Sequence, residues 1–206
     1  MRLFDVLGPV MIGPSSSHTA GAAKIGYTAQ KLLGEVPAQA DIGLYGSFAT
    51  TGKGHGTDRA LVAGLLGLRP DDPRLPDSFV LAAQQGMQFS IHPVELRSAH
   101  PNTAVLTLTS RTGRQLSLKA ASVGGGRIRV TEIDGVPADF GGDSNTLIIH
   151  NEDTPRLHCR GDHGAGTAAH QYRVHAGVPR RCGRLCGDGA GVRLPHPPTR
   201  WSGSWR

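Results

Sequence analysis

Residues 1–155 predict a mixed α/β domain. Three observations carry this expectation. Two stretches set apolar residues at helical spacing, several short runs alternate apolar and polar residues with β-branched content, and Gly-containing dipeptides of hairpin type separate some of those runs. In chain order, residues 18–33 place Ala, Ile, Tyr and Leu on one helical face and stop at Gly34, a residue that ends helices well. Residues 40–48 read as a strand. Residues 57–68 read as a helix, with Asp58 at its start, where the helix dipole favours a negative charge. Residues 76–85 form a short helix. Residues 87–94 and 103–109 are strands by alternation, and residues 115–121, 127–133 and 145–150 are further strands. Thr112-Gly113 and Asp134-Gly135 are hairpin-type turns.

The chain has 206 residues, enough for one domain or one domain with a small appendage. A core of that size needs no disulfide or metal to form. No apolar run reaches the roughly 18 residues of a membrane-spanning helix. The opening MRLFDVLGPV lacks the apolar stretch of a secretory signal, so the expected location is cytoplasmic.

The net charge is +6, which by itself suggests a nucleic acid or an acidic membrane surface as partner. Locating the charge removes that suggestion. Residues 1–155 hold 13 Lys and Arg against 14 Asp and Glu, a balance of −1; residues 156–206 hold nine Arg against two Asp, a balance of +7. All three Cys, both Trp and five of the ten His also fall after residue 155. The expectation is therefore no nucleic-acid partner and no membrane.

Four polar, Gly-rich segments make poor core and good ligand surface. The first is Gly13-Pro14-Ser15-Ser16-Ser17-His18-Thr19-Ala20-Gly21, just ahead of an apolar helix. Hydroxyls and free backbone N–H groups at such a place suit an anion, although a plain N-cap would use the same residues. The second is Thr50-Thr51-Gly52-Lys53-Gly54-His55-Gly56-Thr57-Asp58. Its alternating glycines allow a close backbone approach and leave Lys53 and His55 free to enter a cleft. It lacks the Walker spacing of a P-loop. The third is His100-Pro101-Asn102-Thr103, and the fourth is Ser122-Val123-Gly124-Gly125-Gly126, where three glycines make either a loose loop or an anion nest. Together the four suggest a small anionic ligand, such as a carboxylate.

In this order the segments resemble those of the β subunit of two-chain, iron–sulfur-dependent L-serine dehydratase. The matching stretches are GPSSSHTAG at 13–21, TGKGHGTD at 51–58, HPNT at 100–103 and SVGGG at 122–126; FGGDSNTLIIHNEDTP at 140–155 resembles the join into that family's small C-terminal ACT domain. The resemblance covers essentially all of residues 1–155. It implies an α/β substrate-binding-type domain, similar to the allosteric domain of some phosphoglycerate dehydrogenases, over residues 1–145, and the start of an ACT domain at 146–155. It implies a lyase of serine catabolism and gluconeogenesis that takes L-serine to pyruvate and ammonia. A [4Fe–4S] cluster would act as Lewis acid. Cluster ligands are Cys thiolates, and residues 1–155 contain none, so the resemblance assigns the cluster to a partner α subunit in a hetero-oligomer and no metal site to this chain. Carried onto matching positions, Ser15, Ser16, Ser17, His18 and Thr19 line the carboxylate pocket, with Asn102, Thr103, Gly124 and Gly125 also in contact with substrate. His55 is the proton-transfer candidate, since imidazole titrates near working pH, and Lys53 offsets substrate charge. The competing expectation is a serine-sensing allosteric module without catalytic residues.

Residues 156–206 do not fit this pattern. They contain no Ile, Met or Phe, and Gly, Arg, Pro and His dominate. Read one base out of register, codons 156–192 can encode a continuous ACT-type stretch with an amphipathic helix, a strand, a Gly-Gly turn and another strand. A single-base frameshift at or just after codon 155 is therefore expected, and with it a disordered, non-native tail. Cys182 and Cys186 with His158, His163, His170 and His175 lack the usual zinc or cluster spacings.

Overall fold

A computed structural model describes residues 9–143, 146–152 and 170–176. A π-helical turn, Ser16–Gly21, runs directly into α1 (Ala22–Leu33), which Gly34 closes in the left-handed conformation. Then follow β1 (Gln39–Gly46), α2 (Ser47–His55) and α3 (Thr57–Leu65). A 3₁₀ turn, Leu75–Asp77, leads into α4 (Ser78–Gln84). The rest is strand: β2 (Gln88–Pro93), β3 (Asn102–Thr109), β4 (Gln115–Gly124), β5 (Arg127–Ile133), β6 (Val136–Phe140), β7 (Thr146–Glu152) and β8 (His170–Ala176).

Six strands form one sheet in the order β2-β1-β3-β4-β5-β6, parallel only between β1 and β2. The α/β class expected from sequence is the class observed. Helices cover one face. On β3, Ala104, Leu106 and Leu108 are buried while Thr107 is exposed; on β5, Ile128 and Val130 are buried while Arg127 and Arg129 are exposed. This period of two is the signature of a sheet with one packed face.

The helix layer is built on a close approach. A Cβ placed on Gly64 of α3 would lie 2.1 Å from the Ala23 carbonyl oxygen and 2.8 Å from the Gly26 Cα of α1. Only hydrogen fits there. Ala22, Ala23, Ala29, Ala60 and Ala63 keep the rest of the seam thin, and Ile25, Leu61 and Leu65 fill beneath it without exposure. The β5–β6 turn is the one the sequence suggests: Asp134 and Gly135 have φ of 49° and 79°, the paired positive values of a tight hairpin.

Three differences from the sequence reading have physical causes. The segment after β1, where the sequence reading ends a strand at residue 48 and starts a helix only at 57, is helical from Ser47 on, and Gly56 alone, at φ 68°, breaks it. Strand β6 escapes the sequence because Pro137 interrupts it, and it is tolerated because β6 ends the sheet. Within 156–206, expected to be disordered, His170–Ala176 forms β8 and pairs antiparallel with β7. Tyr172 and Val174 give this short stretch the alternation that the surrounding composition conceals. Residues 153–169 and 177–206, with Cys182 and Cys186, lie outside the described residues. Among the described residues, no helix is long and apolar enough to cross a membrane.

Candidate functional site

Strand register brings distant segments to one end of the sheet. Gly46 at the end of β1 pairs with Asn102 at the start of β3, and Thr103 pairs with Ala121 near the end of β4. The π-helical turn sits on this end. A Cβ on Gly21 would lie 2.1 Å from Ser122 Oγ, and one on Gly124 would lie 3.9 Å from Ser17 Oγ. The loop before β3 closes over the β1–α2 junction, since a Cβ on Gly46 would meet the Pro101 carbonyl oxygen at 2.7 Å. All four Gly-rich segments thus meet at one place.

Ser15 caps the π-helical turn, its Oγ accepting from the His18 N–H at 3.1 Å. The His18 ring lies between two groups of hydroxyls. Its Nδ1 is 3.5 Å from Ser15 Oγ, and its Nε2 is 3.0 Å from Ser47 Oγ and 3.2 Å from Thr51 Oγ1. The edge of Phe48 packs against it. The His55 ring stands 5.0 Å from that of His18, centroid to centroid. His55 Nδ1 is 3.2 Å from the Thr51 carbonyl oxygen. A carbonyl only accepts, so Nδ1 carries the hydrogen and Nε2 of the neutral ring keeps its lone pair. Partial burial lowers the pKa of His18, the nearby His55 lowers it further, and a hydrogen bond with Ser47 opposes both. His18 is therefore a neutral imidazole at pH 7.

The other residues singled out from sequence fall into two groups. Ser16 and Ser17 are half-buried and their side chains make no hydrogen bond among the described residues, so both hydroxyls are available to a ligand. Lys53 is exposed and shares with His55, Gly13, Thr19 and Arg59 the lining of a cleft of about 420 Å³. Gly124 and Gly125, with φ of 93° and 61°, begin a run of three left-handed glycines beside Ser17. Successive positive-φ glycines suit backbone contact with an anion. Thr19 and Thr103 are buried, and their hydroxyls are committed to carbonyls: Thr19 to that of His55 at 2.9 Å, Thr103 to that of His100 at 2.6 Å. Asn102 stands at the sheet end, its N–H donating to His100 Nδ1 at 3.1 Å.

Sequence reasoning missed Ser47, and gave Thr51, inside the second Gly-rich segment, no role of its own. The signal was there: Ser47, Thr51 and His55 are spaced i, i+4, i+8, one face of a helix. It is invisible while Ser47 is read as the end of a strand and the glycines that follow as non-helical.

The described residues do not fit an iron–sulfur cluster. Such clusters need thiolates, the first cysteine in the chain is Cys159, and no group of three His, Cys, Asp or Glu side chains converges among the described residues.

The family model described as serine dehydratase beta chain matches residues 3–80. The chain is 43% identical over 151 residues to the probable L-serine dehydratase β chain of Bacillus subtilis, covering 73% of this chain and 68% of that one. It is 42% identical over 147 residues to the L-serine dehydratase β chain of Peptoniphilus asaccharolyticus, covering 71% and 66%. To L-serine dehydratase TdcG of Escherichia coli it is 31% identical over 222 residues, covering 86% of this chain and 48% of that one. The chain thus spans about two thirds of the length of the β chains that it matches and about half of TdcG.

Proposed function

This chain belongs to the serine dehydratase β-chain family, and from that premise we propose that it is the β subunit of an L-serine ammonia-lyase, incomplete without an α subunit that carries a [4Fe–4S] cluster. In this reading Ser15 lines the pocket, and the hydroxyls of Ser16 and Ser17 with the backbone of Gly124 and Gly125 hold the substrate carboxylate. Lys53 offsets its charge. Nε2 of His55 takes the proton from Cα as the β-hydroxyl departs, and then gives that proton to the departing hydroxide, which leaves as water. The resulting enamine tautomerises to an imine, and water converts that to pyruvate and ammonia, with no net oxidation or reduction. The cluster, when present on the partner, would supply the Lewis acid for the departing hydroxyl; the residues of this chain bind, orient and move the proton.

The observation that supports this reading best is the His55 ring, with Nδ1–H turned to the Thr51 carbonyl and the ring lining the same cleft as Lys53. A general base typically contributes about 10²–10⁴-fold. His55→Gln, assembled with an intact α subunit, is therefore expected to lose at least about 100-fold in kcat for pyruvate formation. Near-normal kcat with a shifted serine activation curve would instead make this chain a sensing module.

The same reading takes residues 1–145 as the β-chain domain and 146–155 as the start of an ACT domain whose remainder is lost to a frameshift. The chain would then act in the cytoplasm as part of a hetero-oligomer. Support for the frameshift is the change of composition after residue 155 and the ACT-type reading of the shifted codons.

A further inference from the structure

We propose that Thr51 is a positioning residue for both imidazoles of this site, directing the tautomer of His55 through its carbonyl and that of His18 through its hydroxyl. Thr51 Oγ1 donates its hydrogen to the Ser47 carbonyl, one helical turn back, at 2.9 Å. From every other neighbour it can only accept. Two groups face it: His18 Nε2 and Ser47 Oγ, each at 3.2 Å. These three polar atoms form a triangle, since Ser47 Oγ is also 3.0 Å from Nε2.

If Nε2 carries the hydrogen, it donates to Ser47 Oγ or Thr51 Oγ1, and the Ser47 hydroxyl donates on to Thr51. The chain of donors then ends at the Ser47 carbonyl with every hydrogen placed. If Nε2 is bare, the Ser47 hydroxyl must turn to it, and Thr51 Oγ1 accepts nothing. The first arrangement makes more hydrogen bonds, so the accept-only state of Thr51 selects Nε2–H for His18. Nδ1 of His18 is left as the acceptor, facing the Ser15 hydroxyl. The lowered pKa of His18 means that a neutral ring, with a tautomer to choose, is the state present at pH 7.

The same residue acts on the second ring through its main chain, because the Thr51 carbonyl accepts from His55 Nδ1. Nothing in this requires Thr51 to touch a substrate. The side chain is exposed, and an exposed threonine without such a role can be replaced at little cost. Thr51→Val keeps the shape and the carbonyl but removes the acceptor. The Ser47 hydroxyl then turns to Nε2, and the hydrogen of His18 moves to Nδ1. Thr51→Ser restores the acceptor.

The test uses the full chain labelled with ¹⁵N in its imidazoles, at a pH above their titration, and the same variants assembled with the α subunit for turnover. The wild type is expected to show His18 as the Nε2–H tautomer and His55 as the Nδ1–H tautomer. Thr51→Val should move the His18 nitrogens toward the Nδ1–H pattern and leave His55 as Nδ1–H. Because His55 keeps its tautomer and His18 borders the proposed carboxylate pocket, it should raise KM about three- to tenfold, the worth of one hydrogen bond, with kcat within about twofold. Thr51→Ser should return both to wild-type values. Unchanged His18 signals in Thr51→Val overturn the proposal whatever the turnover, and so does a failure of Thr51→Ser to restore them. The kinetic arm rests on the proposed carboxylate pocket, whereas the imidazole signals do not. Absence of serine turnover in the wild-type assembly would therefore sink the functional reading and leave the Thr51 proposal decided by the tautomers.

Discussion

Burial and a second imidazole nearby make His18 hard to protonate in the folded chain, which ties the site to stability. Unfolded, the ring takes up its proton near pH 6.5; folded, it does so only at lower pH. Between these values the unfolded state binds more protons, so stability from this residue rises with pH up to about 6.5 and is level above. His18→Gln keeps a side-chain amide near the hydroxyls but cannot titrate. Its melting temperature, compared at pH 5.5 and 7.5, should change less than that of the wild type. An equal change in both would show that His18 does not carry the effect. At this scale the sequence was partly legible. His18 and His55 stand out because histidines flanked by small residues make poor core. Their partners Ser47 and Thr51 do not, because a hydroxyl on a helix is common and gains meaning only from the ring it faces.

Among the elements, α1 and α3 meet where glycine is the only residue that fits. Gly64→Ala would force a methyl into the α1 backbone at 2.1 Å from a carbonyl oxygen, and the helices would have to separate. Overpacking of this kind costs about 1–3 kcal/mol. Gly54, inside α2, has nothing within 4 Å of a would-be Cβ, so Gly54→Ala should gain about 0.5–1 kcal/mol from helix propensity alone. Urea midpoints should shift in opposite directions, and a common direction would refute the packing argument. The two glycines look alike in sequence, and only the packed neighbour separates them. The stretch from Thr50 to Asp58 shows the same limit. Its glycines argue for a loop by local preference, yet Gly56 alone leaves the helical region, because α2 and α3 are held by tertiary contacts rather than by propensity. Alternation placed the major strands of the sheet near their observed positions, since that period reflects one buried face.

For the molecule as a whole, the division near residue 155 is the feature most open to direct test. Resequencing codons 145–206 should reveal one base gained or lost near codon 155. An unchanged reading would establish the arginine-rich end as part of the natural chain. Within that end, His170–Ala176 pairs antiparallel with β7, in register from Thr146–Ala176 to Glu152–His170.

The convergence of four segments at one end of the sheet also fixes when the site can exist. The π-helical turn is made early in synthesis, but its neighbours at Ser122 and Gly124 emerge only with the end of β4. A nascent chain arrested in β3 has both histidines and lacks the glycine floor beneath Ser17. The helical pair α1–α3 joins residues about 40 apart, such as Ala23 and Gly64, whereas the pocket waits for residues about 100 apart, Gly21 and Ser122, and for the sheet to close. Any ligand that binds it binds only a chain whose long-range pairing is finished, and so discriminates completed subunits from unfinished ones.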